Sequence, residues 1–161
     1  MNKYAGLITN DFCNGKGVCV SFFTQGCPHH CKGCHNPETW DFEKGQPLPT
    51  NIRGQIIKAI GANGIIRNFS VLGGEPLCPQ NIEEVDKIIS GVRAAYPNIK
   101  IFLWTGYTLE ELKKENNIFI DEILSNIDVL IDGPYIEAER DITLELRGSK
   151  NQRILYKNID F

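Results

Sequence analysis

Cys27, Cys31 and Cys34 lie in Gly26-Cys27-Pro28-His29-His30-Cys31-Lys32-Gly33-Cys34, a Cys-x3-Cys-x2-Cys spacing on a short stretch punctuated by glycine and proline. Thiolates this close together bind a metal centre. Structural zinc sites and most iron-sulfur clusters take four protein ligands, so a trio suggests a cubane cluster with one iron left free for something else. On spacing alone the alternative is a zinc knuckle completed by His29, His30, His35 or Cys78. Gly73-Gly74-Glu75-Pro76 weighs against zinc. It follows the apolar run Phe69-Ser70-Val71-Leu72, so a glycine pair and a carboxylate stand where a buried strand ends, and a zinc knuckle has no use for them.

A ligand does have a use for them. Glycines without Cβ atoms let backbone carbonyls approach a bound molecule closely, and the Glu75 carboxylate can accept hydrogen bonds from an ammonium group. The carboxyl ends of strands are where α/β folds place their ligands.

The cysteine loop after an early strand and the Gly-Gly-Glu-Pro after the next one resemble, in type and order, the signature of the radical S-adenosylmethionine (SAM) enzymes. That resemblance implies one [4Fe-4S] cluster held by Cys27, Cys31 and Cys34, with SAM chelated at the free iron and its amino group received by Gly73, Gly74 and Glu75. It also implies adenine contacts around the third cysteine. Gly33 stands where many members carry an aromatic residue, and His35 offers an imidazole just after Cys34.

A closer resemblance, to the small activating proteins of anaerobic (class III) ribonucleotide reductase, covers almost the whole chain. Its matching stretches are Asp11 to Gly17, Gly26 to Trp40 and Gly73 to Asn81. Beyond these come Trp104-Thr105-Gly106-Tyr107-Thr108, Asp128 to Gly133 and Arg147-Gly148-Ser149-Lys150-Asn151-Gln152. The resemblance implies reductive cleavage of SAM and a glycyl radical formed on the catalytic subunit of the reductase. It further implies a one-electron donor such as flavodoxin. Because Trp104-Thr105-Gly106-Tyr107 ends a predicted strand, Thr105 is expected among the SAM contacts, the alternative being Trp104 in the core and Gly106 in a turn. At Cys19 the subfamily often has arginine.

The elements that must position these residues follow from periodicity. Val18 to Thr24 reads as the first buried strand. Asn51 to Ala62 carries a helical stripe of Ile52, Ile56, Ile57 and Ile60. Phe69 to Leu72 is the second strand, and Asn81 is a helix cap ahead of Val85, Ile88, Ile89 and Val92. Ile99 to Trp104 is a strand, Leu109 to Glu115 and Ile118 to Leu124 are helices, and Ile127 to Ile131 is a strand ended by Asp132-Gly133-Pro134. This βαβα order implies an α/β fold with mostly parallel strands. A complete βα barrel needs roughly 250 residues, so 161 residues allow only a partial, open barrel in one domain spanning residues 1–161.

A formal net charge of -3 provides no basic field for nucleic acid. No apolar run approaches the ~20 residues of a membrane span, and the start lacks a signal peptide's apolar region, so a cytoplasmic protein with reduced thiols is expected. Cys13, Cys19 and Cys78 form no second cluster spacing and read as small buried hydrophobes. No acid-base or nucleophile constellation stands out.

Overall fold

The structure is a computed structural model describing residues 1–161. Seven strands form one sheet: β1 (Lys3–Asp11), β2 (Cys19–Thr24), β3 (Gln46–Pro47), β4 (Asn68–Gly73), β5 (Ile101–Trp104), β6 (Val129–Asp132) and β7 (Arg153–Tyr156). Their order is β3-β1-β2-β4-β5-β6-β7. The four central strands are parallel, with Phe22 beside Val71, Val71 beside Leu103, and Leu103 beside Leu130. The flanks are antiparallel: β1 pairs with β2 and β3, and β7 pairs with β6. The sheet is open, with β3 and β7 as its two edges.

Four helices connect the parallel strands: α1 (Ile52–Ile60), α2 (Ile82–Ala95), α3 (Leu109–Lys114) and α4 (Ile118–Asn126). Strand alternation decides which residues they cover. Val20, Phe22, Phe69, Val71, Ile101, Leu103 and Leu130 join Ile56, Ile60, Val85, Ile88, Ile89 and Ile123 in one core. The alternate residues Phe102, Val129 and Ile131 pack on the opposite face with Trp104, Leu146 and Ile154. The central strands are thus buried on both faces, with Ser21 and Ser70 as polar exceptions on the second, which is why they read as near-continuous hydrophobic runs. No helix is long and apolar enough to cross a membrane.

Three strands depart from the sequence expectation. Val18 to Thr24 supplies the second strand, not the first, because Lys3–Asp11 precedes it as a mostly half-exposed hairpin partner. The Ala5-Gly6 step and the polar Thr9-Asn10-Asp11 end hide β1 from a search for buried runs. β3 is two exposed residues, and β7 is a four-residue antiparallel addition; neither length sustains a detectable period.

The second face of the sheet is covered by irregular chain. Gly15 lies over it so closely that an added Cβ would meet Cys19 Sγ at 2.6 Å and Ser70 Oγ at 3.1 Å. On the other side, Trp104 Nε1 donates to Leu146 O at 2.7 Å and fastens the loop after β6 against the sheet. A cleft of about 720 Å³ opens between these covers.

Candidate cluster and SAM site

All four central strands point their carboxyl ends at one rim, ending in Thr24, Gly73, Trp104 and Asp132. The loops that follow carry the Gly26 to Trp40, Gly73 to Asn81, Trp104 to Thr108 and Arg147 to Gln152 stretches, whereas Asp11 to Gly17 lies between β1 and β2. Cys27, Cys31 and Cys34 are part-buried free thiols on the loop after β2. Cys34 N–H donates to Cys31 O at 3.0 Å, and Asn36 N–H donates to Cys34 Sγ at 3.4 Å. Gly26, at φ 92°, and Gly33, at φ 74°, take the left-handed turns that bend the loop. No three His, Cys, Asp or Glu side chains converge on a single-ion position.

Burial, seconded by the charge of Glu75, pushes the Cys27 thiol up to about 11, while the backbone N–H groups of His29 and His30 act in the opposite direction. Cys78 is likewise pushed up to about 11 by burial and Glu75. It is fully buried, as expected of a small hydrophobe, as is Cys19, whereas Cys13 is exposed.

Glu75 is 1% exposed, and its carboxylate is fully engaged within the chain. Oε1 accepts from Leu77 N–H at 2.9 Å and from the Thr105 hydroxyl at 2.8 Å. Oε2 accepts from Gly106 N–H at 2.7 Å and from His29 Nε2 at 2.9 Å. Four donors match the roughly four acceptor positions of a carboxylate. The side chain expected to face an ammonium group therefore ties three loops together. Thr105 is buried in the same knot and does not line the cleft.

Asn81 takes part in this knot as well. It was expected to cap α2, but no side-chain cap bond forms there. Its Nδ2 instead donates to Gln25 O at 3.0 Å and Glu75 O at 2.9 Å, bridging the cysteine loop and the Gly-Gly-Glu loop. An Asn ahead of a helix suggests a cap; only tertiary contact reveals the other use.

The cleft brings together Gly33, Cys34 and His35 from the cysteine loop, Leu72 and Trp104 from the strand ends, and Tyr135, Arg147 and Gln152 from the loop after β6. Its volume lies within the roughly 300–1,000 Å³ of small-molecule sites. Arg147 Nε is buried without a partner. Gly33 allows close packing: an added Cβ would meet the Glu137 carboxylate at 2.7 Å. Gly73, Gly74 and Glu75 are not among the residues that line this cleft. Asn14, Tyr135 and Gln152 also line the cleft, and the sequence reading did not assign them to the site.

Asp132, at the end of β6, is buried at the rim and serves the scaffold. It accepts from Leu109 N–H at 2.8 Å and from Arg153 Nε at 3.0 Å.

Residues 13–155 match the family model described as a 4Fe-4S single cluster domain. That match decides between the two metal readings in favour of iron and sulfide. The chain is also 40% identical over 158 residues to the anaerobic ribonucleoside-triphosphate reductase-activating protein of Enterobacteria phage T4, covering 98% of this chain and 96% of the relative. The proteins of that name from Escherichia coli and Haemophilus influenzae are each 38% identical. They align over 88% and 94% of this chain, and over 90% and 96% of their own lengths. The chain belongs to the anaerobic ribonucleoside-triphosphate reductase-activating protein family. In this family member the cysteine trio, the Gly-Gly-Glu loop and the loops after β5 and β6 meet at one end of one sheet.

Proposed function

We propose that this chain is a radical SAM activase that installs a glycyl radical on the catalytic subunit of an anaerobic ribonucleoside-triphosphate reductase. One observation carries the reading: three part-buried free cysteines share a carboxyl-rim loop with the wall of a cleft large enough for a nucleoside-sized cosubstrate. The donor set is all thiol, the loop is bent by positive-φ glycines, and the buried Nε of Arg147 offers a donor at the cleft. These residues fit a [4Fe-4S] cluster on Cys27, Cys31 and Cys34, with SAM beside it.

A [4Fe-4S] cluster held by Cys27, Cys31 and Cys34 would supply, once reduced by a small one-electron donor such as flavodoxin, the electron for reductive cleavage of SAM to methionine and a 5'-deoxyadenosyl radical, which would take a hydrogen atom from a glycine of the partner. The chain's own residues hold and shield. Cys27, part-buried and with its thiol pushed up to about 11, would give up its proton to hold iron. Gly73 and Gly74 keep the strand end close to the cysteine loop, with Gly74 N–H donating to Thr24 O and Glu75 N–H to Gly26 O. Gly33 and His35 line the cleft next to Cys34 and would be available to the adenine, while Leu72 and Trp104 add apolar lining that would limit water.

In this reading residues 1–161 act as one cytoplasmic domain, the open sheet is the partial barrel, and the reductase covers the open side. The test mixes anaerobically reconstituted protein with the reductase, SAM and a reductant. A glycyl doublet in the electron paramagnetic resonance (EPR) spectrum, followed by ribonucleotide reduction, is expected. SAM cleavage with a doublet only on a formate-lyase type protein would reassign the partner, and stoichiometric zinc without sulfide would overturn the chemistry.

A further inference from the structure

His29 stands midway between Cys27 and Cys31, yet its side chain is held by the opposite loops. Its Nε2 lies 2.9 Å from Glu75 Oε2, and because a carboxylate only accepts, the imidazole carries its proton on Nε2. The ring meets Tyr107 edge-on, with centroids 4.5 Å apart and planes at 68°. Gly106 closes the third side so tightly that an added Cβ would lie 2.5 Å from His29 Cδ2. The imidazole is only 19% exposed and Glu75 only 1%, so this contact is not a screened surface pair.

We propose that His29 is a positioning residue that locks the cysteine loop to the Gly-Gly-Glu and Thr105-Gly106 loops through Glu75, setting the cluster's distance and orientation to bound SAM. The inference rests on the radical SAM reading above. Glu75 acts here as a buried brace. His29 is the one side chain of the cysteine loop that reaches that brace; Thr105 and Gly106 reach it from β5 and Leu77 from its own loop. Without His29, the loop between Cys27 and Cys31 keeps its thiols but loses its fixed relation to the cosubstrate pocket. Outer residues that orient metal ligands characteristically change affinity or activity by about 10–100-fold when removed.

The test titrates SAM into reduced, reconstituted protein and follows the EPR spectrum of the cluster. Wild type is compared with His29→Ala, His29→Phe, His29→Gln and Gly106→Ala. His29→Phe keeps a ring against Tyr107 but cannot donate; His29→Gln can donate to Glu75. The expected result is about tenfold or greater weakening of the SAM-induced spectral change in the Ala and Phe variants, with recovery to within about threefold in Gln. Gly106→Ala, which drives a methyl group into the imidazole, should weaken it in the same direction. If Ala or Phe prevents cluster loading, restoration of four irons and four sulfides by Gln alone supports the same role.

Wild-type SAM response in both Ala and Phe, or rescue by Phe and not by Gln, overturns the inference and leaves the radical SAM reading standing. A wild-type protein with no cluster, or with a cluster blind to SAM, overturns that reading and this inference with it.

Discussion

An added Cβ on Gly74 would lie 2.4 Å from the carbonyl oxygen of Gly26, the residue just before Cys27. The same carbonyl accepts the Glu75 N–H at 2.8 Å. The close approach that the Gly-Gly pair permits is therefore first of all an approach between two loops. Backbone on backbone leaves no flexible end to swing away.

Gly74→Ala is consequently expected to push Gly26 and Cys27 outward. Overpacking of this kind costs about 1–3 kcal/mol, so a lower melting temperature should accompany poorer iron incorporation and weaker SAM binding. Iron and sulfide analysis beside thermal unfolding checks both. Full loading at wild-type stability would mean the two loops are not in this contact.

Alanine at Cys27, Cys31 or Cys34 should abolish the four-iron, four-sulfide content, since each replacement removes one of three thiolates. Serine at Cys13 should leave the content intact, the side chain being exposed. Serine at Cys19 or Cys78 should also leave it intact while lowering stability by about 1–3 kcal/mol, because a hydroxyl then sits where a buried thiol was. Sulfide loss in the Cys78 variant equal to that in Cys27→Ala would make Cys78 a ligand.

Much of this was legible in the chain. The four central strands announce themselves because both faces are buried, and their ends coincide with the glycine and cysteine motifs; α1, α2, α3 and α4 follow from their isoleucine and leucine stripes. Side-chain destinations were less legible. Glu75 and Asn81 are residue types that serve equally as ligand contacts, caps or braces. What selects the brace is the arrival of His29, Gln25, Thr105 and Gly106 from distant positions, a tertiary fact with no local period. Asp132, at the end of a strand on the same rim, is likewise taken up by Arg153 and Leu109 N–H, partners that no local pattern announces. The antiparallel flanking strands β1, β3 and β7 were hidden by half-exposure or brevity.

Arg153 also pairs with Glu110 on the first turn of α3, through bonds of 3.0 and 2.7 Å. The guanidinium holds the Glu110 carboxyl down at about 2, below its ordinary 4.5. A depressed folded-state value means that the contribution to stability is fully present above about pH 4.5 and is lost as pH falls through about 2. Glu110→Gln should lower the melting temperature slightly at pH 7, with the difference from wild type shrinking as pH falls across that window. Thermal unfolding in a pH series reads it. Because the pair is exposed, the effect should also fade in high salt, and a difference that grows toward low pH would contradict the assignment.

Trp104 joins the floor of the cleft to its cover. Its ring lines the cavity at the end of β5, while its indole N–H is the donor that holds Leu146 O and with it the loop carrying Arg147. Trp104→Phe keeps an aromatic floor and deletes that one bond. The lost hydrogen bond is worth about 1 kcal/mol, so if the cover must be seated for the cosubstrate to bind, SAM affinity should fall about fivefold. Iron and sulfide content should not change, since no cysteine contact is touched. SAM titrations of the reduced cluster, compared with thermal unfolding of the same variant, separate the two effects. Unchanged SAM affinity would show that the loop after β6 is seated by its other bonds, such as Asn151 Nδ2 donating to Pro134 O at 2.7 Å, while reduced cluster content would mean that Trp104 supports the cysteine loop rather than the cover.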